Sequence, residues 1–555
     1  MLFVESVLMV GEFMDPADIL CIYIANHDPN VTFVDKEGRI RTYEYERFVN
    51  VKFAQFWPDK PDEKVDYINF FKLIKKYQLR ESKTIFVLGN DRFNGDLWPE
   101  LFPNAKIEKA LRHHLAHAAC GYYQAPLEFR KSLVFTYDGM GFNYNQPHNA
   151  HLYLFNNGEY EFLKTPKLIE WGRPYGDFGR SLRQLKPDGT AASFIYSSSE
   201  MAAGKFMGYC GYGKWDQAGV DKIKSFLQNN IFKWSAARKE TKNFYSPLYH
   251  NHGRDKVKNF AKSLDPAEDR YWAACYQEAF TQLVLEFLLP EIEEHRVNVI
   301  LVGGCALNVL TNQRIQEAIE PWGLKLFICP NANDSGLSLG EFFLNCPPQQ
   351  PEVLTYSGLP MLDKIEDFIP KDFPISTTAD IVSILAEGSI VGCADGNSEV
   401  GPRALGNRSI LCLPTRGMKD KINEQIKSRE WWRPFAPVCR LEDKDKFFDN
   451  AYESPYMSFA PTVKEEYKEA LCDVTHVDGT TRLQTVTLSQ HLFLYELLTE
   501  MEKSGLIPVL LNTSFNIRGE PILTKYEIAI RALKETQLDY IYLNKRYLCK
   551  KADFK

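Results

Sequence analysis

The stretch Arg112-His113-His114-Leu115-Ala116-His117 puts three of the chain's 11 histidines within five residues. Ala, Leu, Lys and Glu around it favour helix. On a helix His113 and His117, four apart, project from one face, as two ligands of one metal must. The competing reading is a helix end whose histidines face solvent or a carbonyl. Two aspartates bear on the choice: Asp138 directly follows the apolar run SLVFTY, and Asp334 lies in the turn Asn331-Ala332-Asn333-Asp334-Ser335-Gly336 after KLFICP. An Asp at a strand end is most often a turn-former, but it can also hold a cation. Glycine turns accompany them: Asp138-Gly139-Met140-Gly141, Gly303-Gly304-Cys305-Ala306-Leu307-Asn308, and EMAAGKFMGYCGYG around Lys205. Such turns let backbone N–H groups approach a phosphate. A metal on two imidazoles and one or two carboxylates, beside a glycine-lined nucleotide cleft, accounts for all of these together. An HExxH metalloprotease is disfavoured, because no glutamate occupies the second position.

Different chemistry marks the last third. Arg403, Arg408, Lys427, Arg429, Arg433, Arg482 and Arg518 all lie in turns that carry Gly or Pro, and Asn512-Thr513-Ser514 ends the apolar run IPVLL. Guanidinium groups grip phosphate and carboxylate bidentately, so the set reads as an anion site. Surface salt bridging is the alternative for any one arginine.

The elements that must hold these residues alternate. ILCIYI is an apolar strand ending in the polar Asn26-His27-Asp28-Pro29-Asn30; VTFV, a Lys-Glu-Gly turn and RIRTYEYE follow. YINFFKLIKKY has helical period, SKTIFVLGN reads as a buried strand, and Asp265-Pro266 opens a long apolar-striped helix that leads into the strand VNVILVGG. This alternation predicts an α/β fold. The proline-rich NCPPQQPEV at 345–353 sets a boundary between a first domain, 1–350, and a second, 351–555. No internal repeat is visible.

At 555 residues, with 45% hydrophobic and 25% charged residues and a net charge of −6, the chain carries no global nucleic-acid signal. No run of 18 apolar residues predicts a membrane span. MLFVESVLMVGEFM lacks a basic segment and contains Glu5 and Glu12, which argues against a signal peptide. Met9 and Met14 are alternative starts, so the first dozen residues read as an extension. Twelve cysteines, scattered singly with no CxxC, fit reduced thiols and a cytoplasmic setting. One stretch is locally basic: between Lys222 and Lys262 ten basic residues face only Glu240 and Asp255, with Phe226, Phe232, Trp234, Phe244 and Tyr245 interleaved. That is the footprint of a nucleic-acid contact, or else a solvated helix face with its own core aromatics.

With these motifs in view, the chain resembles the O-carbamoyltransferases of antibiotic and nodulation-factor biosynthesis. The resemblance runs from Asn26-His27-Asp28 to Pro521. It is carried by ERF (46–48), HHLAHAA (113–119), YDGMG (137–141), GKFMG (204–208), VGGCALN (302–308) and NDSG (333–336). In the second domain it is carried by GPRALGNRSIL (401–411), RPFAP (433–437), HVDGTTRLQTV (476–486) and LNTSFNIRGEP (511–521). The family implies an actin/hexokinase-like N-terminal domain, related to the enzyme that makes threonylcarbamoyl-adenosine in tRNA, and a YrdC-like α/β C-terminal domain. It also implies cleavage of carbamoyl phosphate to carbamate, attack of carbamate on the α-phosphate of ATP to give carbamoyl-adenylate and pyrophosphate, and transfer of the carbamoyl group to a substrate hydroxyl. On this resemblance His113, His117 and Asp334 are metal ligands, with Asp138 a fourth or a phosphate-side partner. Iron is the metal implied, while the residues alone equally allow Zn or Mn, and Mg would accompany ATP. Gly139, Gly141, Lys205, Gly303, Gly304 and Asn308 would line ATP. Arg403, Lys427, Arg429, Arg482, Asn512, Ser514 and Arg518 would hold carbamoyl phosphate or the adenylate, with Lys427 and Arg482 also catalytic. His27, beside Asp28, is the acid/base candidate near the acceptor, and His114 would face phosphate. A homodimer is a further expectation.

The chain departs from the family where ILCIYI replaces a segment that usually carries Gly, where EEERF reads Glu44-Tyr45-Glu46-Arg47-Phe48, and where a Lys-His is reduced to Lys52. These positions lie toward the acceptor in the family. The chain is rich in Lys, Asn, Ile, Phe and Tyr, as expected of an AT-rich genome such as a phage's. With the basic-aromatic stretch, this makes a hydroxymethylated pyrimidine, in nucleotide or DNA, one candidate acceptor; a sugar or natural-product hydroxyl is the other. A threonylcarbamoyl-type tRNA modifier and a non-catalytic nucleotide-binding regulator are the rival readings.

Overall fold

The structure is a computed structural model that describes residues 14–24, 27–52, 54, 61–89, 97–139, 142–143, 146–147, 150–166, 171–185, 199–232, 247–517 and 519–554. Strands β1 (Ile19–Ile24), β2 (Asn30–Val34), β3 (Ile40–Glu44), β4 (Thr84–Gly89) and β5 (Lys106–Ala110) form one sheet in the order β3-β2-β1-β4-β5. The first three are an antiparallel meander, and β4 and β5 run parallel to β1. Strands β6 (Lys131–Tyr137), β7 (Ala150–Asn156), β8 (Glu159–Lys164), β9 (Asn298–Val302) and β10 (Leu326–Phe327) repeat the order and senses as β8-β7-β6-β9-β10. The duplicated sheet is the arrangement expected of an actin/hexokinase-like domain. It corrects the reading that no repeat exists: the repeat is one of topology, and a buried strand asks only for an apolar run, which unrelated sequences satisfy.

Between the sheets lie α1 (His113–Gln124), packed on β6 and β9, and α2 (Leu337–Asn345), packed on β1 and β2. The two helices meet closely at Gly340, where any Cβ would strike the Ala116 carbonyl. Helix α1 is almost wholly buried, and Arg112 at its start is paired with the buried Glu341 of α2. The histidine segment is therefore fixed in the centre of the first domain.

Beyond residue 390 a mixed sheet carries β11 (Val391–Ala394), β12 (Arg408–Cys412), β13 (Ala436–Arg440), β14 (Gln484–Val486), β15 (Leu510–Ser514), β16 (Tyr540–Leu543) and β17 (Tyr547–Lys550). Its order is β14-β13-β15-β12-β11-β16-β17. Alternate residues feed two cores on its two faces, Ile410, Cys412, Leu511 and Ile541 on one and Val391, Leu411, Leu510 and Tyr542 on the other. This is the α/β architecture read from the alternation. The halves touch through polar contacts: Arg47 donates to the carbonyls of Glu399 and Gly401, Gln313 Nε2 to the Asn450 carbonyl at 2.9 Å, and the His476 ring lies 2.7 Å from the Gly208 carbonyl.

All twelve cysteines are free, and all but Cys472 are buried. No helix among the described residues is long and apolar enough to cross a membrane. Of the basic-aromatic stretch, residues 233–246 lie outside the described residues. In the rest, Phe226 stacks on Phe260 in the core at 3.9 Å, Lys224 is paired with Glu286, and Lys222 lies over Trp272. These contacts are those of a helix face with core aromatics.

Candidate functional site

Adjacent parallel strands end side by side, so the neighbours β6 and β9 bring Asp138 and Gly303-Gly304 together at their carboxyl ends. Gly139 N and Gly304 N donate to Asp138 Oδ1 at 2.7 and 3.0 Å. Gly303 has φ +92° and sits where a Cβ would strike the Tyr137 carbonyl, which explains the glycine. Asp138 Oδ2 is left facing His113 Nε2 at 3.3 Å and His117 Nε2 at 3.6 Å. On the far side Asp334, in the turn that opens α2, presents Oδ1 to His117 Nε2 at 3.3 Å. Its Oδ2 accepts the hydroxyl of Tyr23 from β1. Asn30 of β2 holds the same turn, donating to the Asp334 carbonyl at 2.9 Å and accepting from Ser338 N at 3.1 Å. The apolar look of ILCIYI hid Tyr23, and nothing local in the sequence points Asn30 at residue 334.

The donor atoms of His113, His117, Asp138 and Asp334 all lie within 4.8 Å of one another. Metal–ligand bonds of about 2.1 Å place neighbouring donors about 3.0–3.4 Å apart in octahedral or tetrahedral sites, close to the separations seen. His117 Nε2 is buried between the two carboxylates without the geometry of a hydrogen bond to either. Burial disfavours a charged His117, yet Asp138 and Asp334 push its pKa up to about 9. Burial likewise works against an ionised Asp138, but His113 and His117 hold it well below the usual carboxylate range. The pocket is thus built around one positive charge, and the residues fit a divalent metal. His27 borders it, one-third exposed, with Nδ1 3.4 Å from Asp28 Oδ2 and 4.0 Å from Asp334 Oδ2.

A second cluster lies mainly in the other half, with Lys52 and Lys205 reaching it from the first. Burial lowers the pKa of Lys52, Arg403, Lys427, Arg429, Arg433 and Arg482, and repulsion from neighbouring cations adds to it for all but Arg433. For Arg433 burial is the only cause acting in that direction. Arg429 Nη2 and Arg482 Nε are buried and lack hydrogen-bond partners. Arg429 also packs over Phe435 at 4.4 Å. Lys427 Nζ bonds Asn516 Oδ1 at 2.6 Å and the Ser514 carbonyl. Glu430 is the carboxylate interposed here, 2.5 Å from Lys205 Nζ and 3.7 Å from Arg433. Crowded, partly unpaired cations of this kind call for an anion.

Several sequence assignments move. The segment around Lys205 is no glycine turn but part of the helix Ser199–Cys210, and Lys205 pairs with Glu430 of the cation cluster. Asn308 is buried as the N-cap of Val309–Ile319 and bonds Gln277, so its side chain is spent on structure. Gly304 serves Asp138 directly. His114 is fully buried against the His151 ring at 4.7 Å, inside the core and not toward phosphate. Asn512 is buried and donates to Gln484 Oε1 at 2.6 Å. Arg408 is saturated by the carbonyls of Asp395, Gly396, Asn407 and Leu523, so it is a structural member of the arginine set. Asp28 is tied to Asn333 Nδ2 at 3.0 Å. Gly141 and Arg518 lie outside the described residues.

Two family models match the chain. The family described as carbamoyltransferase N-terminus matches residues 75–342, and the one described as carbamoyltransferase C-terminus matches residues 382–551. The chain belongs to the carbamoyltransferase family. It is similar along most of its length to an uncharacterized protein of Methanocaldococcus jannaschii, 28% identical over 546 residues that cover 88% of this chain and 86% of that one. The 3'-hydroxymethylcephem-O-carbamoyltransferase of Streptomyces clavuligerus is 31% identical over 339 residues, 59% of this chain and 61% of its own. Nodulation protein NolNO of Sinorhizobium fredii is 33% identical over 310 residues, 50% of this chain and 44% of its own. A solved HypF structure covers 60% of this chain and 56% of its own at 14% identity and a TM-score of 0.33, too slight a likeness to bear on the fold.

Proposed function

We propose that the chain is an ATP-dependent O-carbamoyltransferase with two dedicated sites. The observation that carries this reading is a crowded, half-buried cation cluster, mainly in the second half, and a two-histidine, two-aspartate pocket in the first, within one carbamoyltransferase chain. Carbamoyl phosphate and ATP are both polyanions. Arg403, Lys427, Arg429, Arg433 and Arg482 would bind them, offset their mutual repulsion, and exclude the water that destroys carbamate. There one water hydrolyses carbamoyl phosphate to carbamate and inorganic phosphate, and a carbamate oxygen then attacks the α-phosphorus of ATP and displaces pyrophosphate. The carbamoyl-adenylate is then consumed in the first domain. The acceptor hydroxyl attacks its carbonyl carbon, the C–O bond to AMP breaks, and the hydroxyl proton passes to His27, which Asp28 orients. His113, His117, Asp138 and Asp334 would hold a divalent metal, iron on the family resemblance, with Zn and Mn compatible with the donors. When bound, it would offset negative charge on the nucleotide.

The acceptor is read as a hydroxymethyl group, and a 5-hydroxymethylpyrimidine in nucleotide or DNA is the finer candidate. The AT-rich composition supports it. The protein is incubated with ATP, carbamoyl phosphate and, in parallel, hydroxymethylcytosine DNA, its nucleotide, and sugar acceptors, with mass spectrometry of the products. A carbamoyl mass gain on either pyrimidine supports the finer reading, while gain on a sugar alone replaces it. No gain anywhere, together with no carbamoyl-phosphate-dependent exchange of pyrophosphate into ATP, overturns the enzyme reading.

A further inference from the structure

The two carboxylates of the His/Asp pocket are each half occupied by the protein itself. Asp138 Oδ1 takes two backbone N–H groups, so only Oδ2 faces the imidazoles. Asp334 Oδ1 faces His117, and its Oδ2 takes the Tyr23 hydroxyl. Tyr23 is the penultimate residue of β1, is 5% exposed, and lies with its ring 6.3 Å from that of His113. Without the phenol, Asp334 Oδ2 has no donor within bonding distance among the contacts described: His27 Nδ1 is 4.0 Å away, and Asn30 bonds the Asp334 main chain.

We infer that Tyr23 is a positioning residue that keeps Asp334 monodentate, limiting the protein to four donor atoms and leaving coordination positions open for substrate. The inference rests on the metal reading above, and the hydroxyl does its work through a hydrogen bond to a ligand, as second-layer groups at metal sites commonly do. Loss of the hydroxyl frees Oδ2 to chelate. The coordination number then rises, and the preference shifts toward ions that tolerate more oxygen donors, Mn(II) over Zn(II).

The test uses the full chain loaded with Co(II), and compares wild type with Tyr23→Phe, an isosteric change confirmed as folded by thermal unfolding of the metal-free protein. Wild type is expected to show the strong visible absorption of a four- or five-coordinate ion. Tyr23→Phe is expected to lose most of that intensity, and its Mn(II)-to-Zn(II) affinity ratio, measured by competition, is expected to rise about ten- to a hundredfold. Unchanged spectrum and ratio in Tyr23→Phe, with cobalt bound to both proteins, overturns the role of Tyr23 alone. A Tyr23→Phe that folds but takes up no cobalt also overturns it, since a freed oxygen adds a donor. A wild type that takes up no cobalt overturns the metal reading and this inference with it.

Discussion

His117 is the residue that faces both carboxylates of the pocket, so its removal unmakes the site. His117→Ala is expected to lower divalent-metal affinity at least about a hundredfold, which metal analysis after dialysis reads directly. At the other site the sign of the stability change is reversed. Arg482 is half-buried beside Arg403 and Arg433, its buried Nε without a hydrogen-bond partner among the described residues, so Arg482→Met removes a charge that folding must partly desolvate against repulsion. The variant is expected to be inactive yet more stable by about 1 kcal/mol, a rise of roughly 2 °C in the unfolding midpoint. An equal loss of stability would mean that the arginine is a structural partner and not a binding group. The four metal-pocket residues were legible because helical spacing and strand ends are local signals. Tyr23 was not: its partner lies 311 residues away, and a tyrosine in an apolar strand reads as core. Arg408 and Arg403 looked alike in sequence, and only the carbonyls around Arg408 separate them.

Helix α1 carries its ligands correctly only if it stays pressed on α2. Gly340→Ala puts a methyl against the Ala116 carbonyl, and overpacking of this kind is expected to destabilise by about 1–3 kcal/mol and to weaken metal uptake with it. Denaturant unfolding and metal analysis on the same preparation check the pair. A second element carries a pH signature. His491 caps the helix Leu492–Lys503 through Nδ1, which accepts from Leu494 N at 3.1 Å, while its other nitrogen lies 3.1 Å from Asn407 Oδ1. Burial holds its imidazole down to about 3, against 6.5 ordinarily. Below about pH 6.5 the unfolded chain therefore binds a proton that the folded chain refuses. The stability present above that pH falls toward pH 3 by about 1.4 kcal/mol per unit. His491→Asn keeps a capping acceptor without the proton, so its stability is expected to fall less steeply between pH 6.5 and 5, by one proton's worth of slope. Parallel slopes for the two proteins would contradict this. At this scale the alternation of strands and helices was readable from apolar runs and turns. The duplicated sheet was not, because period and apolarity fix an element's type and leave its partners open.

The His/Asp pocket lies in the first half and the cation cluster mainly in the second, where Lys52 and Lys205 of the first half join it; Arg47 with Glu399 and Gly401 and Lys205 with Glu430 tie the halves together. Motif style had separated the halves in sequence, glycine and aspartate turns before the proline-rich segment and arginine turns after it. The cross-boundary contacts were invisible, since Arg47 meets backbone carbonyls, which any residue supplies, and Lys205 and Glu430 each read alone as an ordinary surface charge. If the halves divide the chemistry, single changes should divide it too. The most direct measurement is the exchange of labelled pyrophosphate into ATP with carbamoyl phosphate present, run on wild type, His117→Ala and Arg482→Met, with carbamoyl transfer to an acceptor followed in the same preparations. The expected result is exchange by wild type and His117→Ala, none by Arg482→Met, and transfer by wild type alone. Exchange that survives in Arg482→Met, or that requires His117, would contradict adenylation at the cation cluster and transfer at the His/Asp pocket.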